Sequence, residues 1–264
     1  MSSLTKNLKS NQMGHQFCAK SDSAIEMVNV KNIHDSVIHL QSYGDRFTRE
    51  KQWEASLWIK SEFEKSGLAS SLQTYLFREK TWPNVVAEIK GNKKPDQIIM
   101  AIAHTDTTAD NPQRMAPGAD DNGSGVAVIL EIARILRKFP LERTLAFCIF
   151  TNEERGAAGS KHYAQEARNH GADINAVINL DILGYNRPEK LFYFDAVMAH
   201  HSLKHKVKAV YRMSKNFFAG LINGYDYVKV VGREQNGSLV KTVSQVFRNY
   251  SNLKVKEVID DDCG

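Results

Sequence analysis

The sequence predicts an α/β fold in which a central, mostly parallel sheet is flanked by helices. Two observations support this prediction. Short apolar runs of strand character alternate along the chain with segments of helical period, the pattern of parallel strands joined by crossover helices. The run Gln97–Ala103 is almost continuously apolar, as expected of a strand covered on both faces. With 264 residues, 42% of them hydrophobic, the chain can bury a sizeable core.

The predicted elements begin after an N-terminal extension. Residues 1–28 lack a periodic apolar pattern and are rich in Ser, Lys and Asn, so we predict a flexible extension there. Residues 29–264 are predicted to form one domain. A helix is expected at Arg49–Ser66, where apolar residues recur at helical spacing. Strands are expected at Asn84–Ile89 and Gln97–Ala103.

Beyond His104 helices and strands alternate. The apolar residues of Gly123–Lys138 recur at helical spacing, whereas Thr144–Thr151 is a short apolar run of strand length. The remaining predicted elements, in chain order, are a helix at Ala158–Asn169, a strand at Ile174–Leu180, a helix at His201–Phe217, a strand at Tyr227–Val231, a helix at Ser238–Tyr250 and a strand at Val255–Ile259.

Composition and charge disfavour several classes of protein. The formal net charge of +5 is well below that of a typical nucleic-acid-binding protein, so no nucleic-acid partner is expected. The widely spaced Cys18, Cys148 and Cys263 argue against a disulfide framework and are typical of a reducing compartment. No signal-peptide core and no membrane-spanning apolar stretch is found. We therefore expect a cytoplasmic protein without a membrane partner, or a secreted or periplasmic one if the N-terminus is incomplete; the oligomeric state is not indicated.

Imidazole and acidic side chains stand where three of the predicted strands end. His104 ends the first of these strands, Glu153 and Glu154 come just after the second, and Asp181 comes just after the third. Since ligands of open α/β sheets bind at the carboxyl ends of the strands, these side chains are expected at one edge. Asp121 joins them from a glycine-rich loop before a predicted helix. Several carboxylates with few imidazoles are the donor set of a hydrolytic site that shares two metal ions.

Each motif also has a structural explanation when it is taken alone. A histidine two residues from a carboxylate, as in His104 and Asp106, is common on protein surfaces, and the Asp-Asn-Gly sequence at Asp121 is typical of a turn. The Glu-Glu pair after the second strand would suit a helix N-terminus, and Asp181 would suit a cap. The functional interpretation depends on the whole set, because separate segments converge on one edge of one sheet.

These segments resemble the co-catalytic zinc aminopeptidases, exopeptidases of the superfamily that also includes glutamate carboxypeptidase II and the glutaminyl cyclases. The resemblance runs from about Ile33 to Gly264 and is specific in the order of its motifs. It implies a three-layer sandwich with a mostly parallel mixed sheet between helices, two zinc ions (Zn2+) and a peptide substrate. The motifs are His104-Thr-Asp106, the segment Gly118–Gly125, Asn152-Glu-Glu-Arg-Gly with Gly159-Ser160, Asn179-Leu-Asp181, the strand Asn84–Glu88 and the ending Asp260-Asp-Asp-Cys-Gly.

The resemblance also implies four metal ligands. His104 and Asp181 would bind one zinc ion, Glu154 would bind the other, and Asp121 would bridge the two. Such a set leaves the two ions close together, as in other two-metal hydrolytic sites.

Two further acidic residues have implied roles in the same site. Glu153 would be the general base that takes a proton from the attacking water and passes it to the leaving amine. Asp106 would orient His104, since a ligand histidine is usually held by a carboxylate at its other nitrogen. Zinc lowers the pKa of water to ~7, so a carboxylate can deprotonate it at neutral pH.

One family ligand is not found at its expected place in the sequence. In the family, the zinc ion on the Glu154 side also takes a histidine from a loop close to the C-terminus, but no histidine follows His205 here. Residues 29–264 are therefore expected to lack the C-terminal portion of the domain. His200, His201 and His205 are candidates for that ligand by residue type alone.

Three functional hypotheses follow from this sequence. The first is a metal-dependent exopeptidase, and the overall resemblance favours an aminopeptidase. The second is a truncated or non-catalytic family member that retains the fold for binding or as a decayed remnant. The third is a single-metal glutaminyl cyclase, which would also need a late histidine. Side-chain specificity is not indicated by the sequence.

Overall fold

A computed structural model describes residues 23–109, 116–184, 227–251 and 254–259 of the chain. The chain divides into two compact units, Met1–Gly184 and Tyr185–Gly264. His104, Asp106, Asp121, Glu153, Glu154 and Asp181 all belong to the first unit. That residues 29–264 form one domain stays a prediction.

The helices of the first unit begin at side-chain caps or at sharp turns. Asn29, Thr48 and Asn122 each accept a backbone N–H of the following first turn, which satisfies one otherwise unpaired donor. A short helical turn at residues 23–26 comes before these helices. The helices are Val30–Gln41 (α1), Arg49–Lys65 (α2), Gly123–Leu136 (α3) and Ala158–Asn169 (α4).

Five strands of the first unit form one mixed sheet. They are Ser70–Phe77 (β1), Lys80–Ile89 (β2), Lys94–His104 (β3), Arg143–Phe150 (β4) and Asp173–Asn179 (β5). Their order is β1-β2-β4-β3-β5. Strand β3 is parallel to both of its neighbours, whereas β2 is antiparallel to both of its own. The α/β class and the mixed sheet are confirmed, although antiparallel pairs are as numerous as parallel ones in this sheet.

The central strands bury both of their faces, which makes the first unit a three-layer structure. Alternate residues of β3 and β4, such as Ala101 and Phe147, pack on one face against α1, α2 and α3. The residues between them, such as Met100 and Cys148, pack on the other face with Tyr163 of α4. Because both faces are covered, the apolar runs of β3 and β4 are continuous rather than alternating. Cys148 is a buried free cysteine, and burial raises the pKa of its thiol to about 12.

Two elements of the first unit were not predicted. Strand β1 forms a hairpin with β2 through Arg78 and Glu79, which both have positive φ, at 49° and 61°. Such turns normally carry Asn or Gly, so the sequence lacks the usual hairpin signal. Helix α1 was also missed; it buries fully only Leu40 and packs against α3, which contributes to its stability.

The described part of the second unit agrees with its sequence pattern. Strands Tyr227–Gly232 (β6) and Lys254–Ile259 (β7) are paired in parallel, and helix Gly237–Tyr250 (α5) contacts both strands. These bounds lie within two residues of the predicted ones. The predicted helix at 201–217 lies outside the described residues.

The predicted extension overlaps the described residues only at its end. Residues 1–22 lie outside the described part of the chain. The Met27 carbonyl oxygen accepts a hydrogen bond from the Arg134 guanidinium at 2.7 Å, and the Asn29 amide donates to Glu131 at 2.7 Å. Residues 27–29 are therefore attached to α3. No helix within the described ranges is both long enough and apolar enough to cross a membrane.

Candidate metal centre

Strand register brings the predicted ligands to the same edge of the sheet. His104 is the last residue of β3 and pairs with Phe150, the last residue of β4. On the other side of β3, Ile102 pairs with Asn179, the last residue of β5. Continuing that parallel register by two residues places Asp181 beside His104. The carboxyl ends of β3, β4 and β5 thus deliver their following residues to one place, as the sequence predicts.

His104, Asp121 and Asp181 form a group whose geometry suits a divalent cation. The Nε2 atom of His104 lies 3.2 Å from Asp121 Oδ1 and 3.7 Å from Asp181 Oδ1. One donor atom from each residue lies within 4.8 Å of the others. His104 is buried, whereas the side chains of Asp121 and Asp181 are 48% and 36% exposed. A cation could therefore enter from solvent and meet a preformed set of imidazole and carboxylate donors, which zinc accepts.

The electrostatic environment of His104 indicates whether a cation fits between His104, Asp121 and Asp181. Burial by itself lowers the pKa of His104, but hydrogen bonding to Asp106, Asp121 and Asp181 outweighs burial and raises that pKa to about 12. The site thus strongly favours a positive charge at the imidazole, here a proton. A zinc ion supplies such a charge at the same atoms, so these residues fit the metal that the sequence predicts.

Asp106 is buried and contacts both His104 and the turn that carries Glu153 and Glu154. Its backbone carbonyl oxygen lies 3.1 Å from His104 Nδ1, nearer than its carboxylate, which is 3.7 Å away. Since a carbonyl oxygen only accepts, Nδ1 of His104 is protonated, and Nε2 is the ring nitrogen that faces the cation position. The Asp106 carboxylate accepts the backbone N–H groups of Glu153 and Glu154, at 2.9 Å and 3.1 Å. Asp106 therefore orients the histidine and also holds the turn that carries both glutamates.

Glu153 and Glu154 lie in a partly desolvated and strongly negative environment. The Oε2 atom of Glu153 lies 4.0 Å from His104 Nε2. Burial and the neighbouring carboxylates raise the pKa of Glu153, although His104 opposes them. For Glu154, burial and then the charge of Asp121 raise the pKa to about 7. A carboxyl group with a raised pKa is better suited to exchanging protons near neutral pH.

The loop that carries Asp121 is attached to the segment that carries Asp181. The buried Asn122 caps α3 by accepting the Gly125 N–H at 3.0 Å, and it donates to the Leu180 carbonyl at 2.9 Å. The peptide bond between Asp121 and Asn122 is cis. The two hydrogen bonds of Asn122 fix the segments of Asp121 and Asp181 relative to each other. The sequence suggested Asn122 only as part of a turn.

A second link joins the same two segments. The Gly184 N–H donates to Asp120 Oδ1 at 2.6 Å, and the Leu183 N–H donates to Ser124 Oγ at 2.9 Å. Asp120, Asn122 and Ser124 were not recognised individually from the sequence. The helix start at Asn122 was a usable signal, because Asn is a preferred N-cap residue.

The turn after β4 depends on a buried polar network. Asn152 has a positive φ of 56°, a conformation that Asn tolerates better than most residues. Its side chain donates to Tyr75 Oη at 2.8 Å, and Tyr75 in turn donates to the Thr151 carbonyl at 3.0 Å. Arg155 donates to the Phe47 carbonyl at 2.6 Å and lies over the Phe47 ring. Asn152 directly precedes Glu153, and Arg155 directly follows Glu154. The two glutamates therefore lie between two residues that these contacts hold in place.

Only some of the residues predicted for the second metal position lie within the described part of the chain. Within the described ranges, the group with metal-binding geometry is His104, Asp121 and Asp181, and the charge of Asp121 raises the pKa of Glu154. His200, His201 and His205 lie outside the described residues.

Comparison with known proteins decides the family. The profile of Peptidase family M28 matches residues 84–229, more than half of the chain. The chain belongs to peptidase family M28. The matched range contains the six predicted site residues, and the predicted resemblance to co-catalytic zinc exopeptidases is confirmed.

Sequence relatives agree with this assignment over part of their length. The chain is 30% identical over 190 residues to a probable zinc metalloprotease of Pyrenophora teres f. teres (strain 0-1). The alignment covers 62% of this chain and 41% of that protein. This M28 chain therefore spans less than half the length of the relative.

Solved structures share the fold of this M28 chain. The Legionella pneumophila LapA aminopeptidase superposes with a TM-score of 0.65 at 22% identity, covering 89% of this chain and 56% of the other. A Porphyromonas gingivalis glutaminyl cyclase superposes with a TM-score of 0.52 at 24% identity, covering 60% and 62% of the two chains. At such identities the similarity concerns the fold alone.

Proposed function

We propose that this chain is a zinc-dependent exopeptidase that releases N-terminal residues from peptides. The observation that supports it most directly is the position of Glu153. Its carboxylate lies 4.0 Å from the same His104 Nε2 that faces Asp121 and Asp181. A group that could hold a cation and a carboxylate that could move a proton therefore share one opening to solvent. Membership of peptidase family M28 makes a peptide bond the expected substrate.

In this proposal the residues that hold metal are the four taken from the sequence. His104, through Nε2, and Asp181 would hold one zinc ion, Glu154 would hold the second, and Asp121 would serve both. The effect of Asp121 on Glu154 supports a second position, because Asp121 is the carboxylate that most raises the pKa of Glu154. Sharing a cation would relieve that repulsion.

Zinc, when bound, lowers the pKa of water and polarises the scissile carbonyl. Glu153 then takes a proton from the attacking water and delivers it to the nitrogen of the leaving amine, so that the C–N bond breaks without release of an amide anion. Asp106 holds the Glu153 backbone at the start of the turn, which keeps the carboxylate beside His104. The half-exposed Glu153 side chain can reach both the water and the leaving group.

The choice of the N-terminal end of the peptide is supported by similarity in fold to the LapA aminopeptidase. Charge does not decide between the two ends of a peptide. Asp121, Glu153, Glu154 and Asp181 carry four negative charges when ionised, and two bound zinc ions would supply four positive ones.

The proposal is tested by metal content and by substrate end. The full 264-residue protein is loaded with zinc, and hydrolysis of leucine p-nitroanilide is compared with that of its N-acetylated analogue. Bound zinc and cleavage of the unblocked compound alone are expected. Equal cleavage of the blocked compound would remove the aminopeptidase assignment. Bound zinc without cleavage of either compound would indicate a non-catalytic family member, and absence of zinc binding would overturn the proposal.

A glutaminyl substrate separates hydrolysis from cyclisation. Glutaminyl 2-naphthylamide releases naphthylamine when the amide bond is hydrolysed, but it releases ammonia when the substrate cyclises. Release of naphthylamine is expected from this chain. Release of ammonia would instead support the cyclase hypothesis.

A further inference from the structure

The largest fully buried side chain of the described residues is the arginine Arg46, which lies in the loop between α1 and α2. Its guanidinium donates to four backbone carbonyl oxygens, those of Leu40 at 2.8 Å, Thr105 at 2.7 Å, Pro117 at 2.7 Å and Gly118 at 2.8 Å. One planar group thus joins the end of α1, 6 residues away, to segments 59 to 72 residues away in sequence.

Two of those segments carry proposed metal ligands. Thr105 lies between His104 and Asp106, so the bond from Arg46 Nε fixes the backbone directly after the histidine. Gly118 begins the turn that leads to Asp121, and its carbonyl also accepts the Gly123 N–H at 3.0 Å. Arg46 therefore sets the spacing between the strand end that supplies the imidazole and the loop that supplies the carboxylate.

The backbone of Arg46 adds a second connection between the same segments. Its N–H donates to Thr107 Oγ1 at 3.0 Å, and that hydroxyl donates to the Ala116 carbonyl at 2.8 Å. Gly118 has a φ of +52°, and a Cβ built there would lie 2.1 Å from Thr107 Cγ2 and 2.9 Å from an Arg46 nitrogen. The loop thus packs too closely on Arg46 and Thr107 to admit a side chain at position 118.

The charge of Arg46 also acts on the site. Burial lowers the pKa of its guanidinium to about 10, while the charges of Asp106 and Asp121 act in the opposite direction. The group therefore remains a cation at neutral pH, and burying such a charge is costly without close partners. Four carbonyl oxygens and two nearby carboxylates provide that compensation. A lysine ammonium has three donors and no planar fork, so it could not make the same four bonds.

We propose that Arg46 is a positioning residue of the metal centre, which holds the His104 and Asp121 segments at the spacing that a cation requires. The inference rests on the proposed function in one respect, namely that His104, Asp121 and Asp181 bind a metal ion. It adds a residue outside the matched range 84–229, and therefore outside the family match. Arg46 touches neither the proposed metal position nor the substrate in this scheme, because its hydrogen bonds to the described residues go to backbone carbonyls and to Thr107.

The test compares Arg46→Lys with Arg134→Lys in the full chain. Arg134 is a matched control, because its guanidinium also bridges distant segments, from Glu131 to the Met27 carbonyl, but lies away from the site. At a temperature where both variants are folded, cobalt(II) affinity and its visible absorption spectrum are measured. Arg46→Lys is expected to weaken cobalt(II) binding by about 10- to 100-fold and to alter the spectrum, as for other outer partners of metal ligands. Arg134→Lys should leave both unchanged.

Amide hydrogen exchange of the metal-free proteins supplies a readout that does not depend on metal. Arg46→Lys should speed exchange at Thr105 and Gly123, while Arg134→Lys should not. Wild-type cobalt(II) affinity and unchanged exchange in folded Arg46→Lys would overturn the inference, as would equal losses in Arg134→Lys. If the wild type binds no metal, the proposed function fails, and the exchange result alone decides the role of Arg46.

A second variant keeps the inference testable if Arg46→Lys does not fold. Thr107→Val keeps the shape of the side chain but removes the hydroxyl that links the Arg46 N–H to the Ala116 carbonyl. Weaker cobalt(II) binding and faster exchange at Gly123 are expected. No change in either quantity would count against the inference.

Discussion

The Oδ1 atom of Asp106 accepts a hydrogen bond from the backbone N–H of Glu153 at 2.9 Å. A buried carboxylate at the end of one strand thus determines where the turn after the neighbouring strand begins. The same residue contacts His104 through its backbone carbonyl. The proposed proton acceptor and the proposed metal ligand are therefore positioned by one amino acid.

Substitution of Asp106 by asparagine should impair the site more than the fold. The amide of Asn can accept one backbone N–H but would direct its own NH2 group at the other, so the turn at Glu153 and Glu154 should shift. We expect kcat/KM for leucine p-nitroanilide to fall by about 10- to 100-fold in the zinc-loaded protein. Steady-state kinetics check this.

The control for that substitution is Asp35→Asn. Asp35 is exposed and, among the described residues, forms ion pairs with neighbours on its own helix, so its loss should leave kcat/KM unchanged. Wild-type kinetics in Asp106→Asn would contradict the role given to Asp106.

Substitution of Glu153 by glutamine should separate chemistry from metal binding. Gln cannot accept the proton from water, and general-base catalysis contributes roughly 10²- to 10⁴-fold to rate. We expect kcat to fall by about that factor while zinc content, measured by atomic emission, stays at the wild-type level. Glu142→Gln, an exposed change remote from the site, serves as the control. Loss of zinc together with kcat would instead make Glu153 a ligand.

Zinc should stabilise the protein through His104. A ligand that binds only the folded state at about a thousand times its Kd adds about 4 kcal/mol to the free energy of unfolding. The melting temperature should therefore rise on addition of zinc and fall with a chelator, as measured by calorimetry. His104→Ala should abolish the response, whereas His170→Ala, on an exposed helix end, should retain it. An equal zinc response in both variants would place the metal elsewhere.

Acid stability should depend on Glu131, which is buried on α3. Burial raises the pKa of its carboxyl group, but hydrogen bonds from Arg134, the Asn29 amide and Asn32 outweigh burial and lower that pKa to about 2. Because the folded pKa lies below the unfolded value of 4.5, the stabilisation is present above pH 4.5 and is lost as pH falls toward 2. This lowering of the Glu131 pKa corresponds to about 3 kcal/mol in the free energy of unfolding.

Glu131→Gln tests that acid dependence. In urea unfolding between pH 7 and pH 2.5, the difference in free energy of unfolding between wild type and variant should shrink as pH falls. Glu142→Gln provides the comparison: its carboxyl group is exposed, and its pairing with Lys93 also lowers its pKa, so a smaller change of the same sign is expected there. A difference that stays constant with pH would show that Glu131 titrates normally in the folded protein.

The strands and helices that bear the site were predictable because their apolar patterns are strong. Strands β3 and β4 are buried on both faces and therefore read as unbroken apolar runs. The helix Ala158–Asn169 was predicted with the bounds that the structure has. The hairpin of β1 and β2 was missed, because its turn places Arg78 and Glu79 at positive φ without glycine or asparagine.

The candidate site residues could be predicted from the sequence, but the residues that hold them in position could not. His104, Asp121 and Asp181 could be identified because the segments that carry them converge on one edge of one sheet, although each motif alone has a structural explanation. Arg46 had no such signal. A single arginine in a loop is usually exposed, and only its four carbonyl partners distinguish it.

By itself, the sequence predicted the class of fold, the edge of the sheet at which the site lies, and the candidate donor residues. These follow from local period and from the rule that strand ends share an edge, which depend on the chain alone. Only the tertiary structure decided which atoms of Asp106 hold His104 and Glu153, and that Arg46 joins the two ligand segments. Those contacts span tens of residues and depend on backbone carbonyls and amides, which every residue carries and no sequence pattern distinguishes.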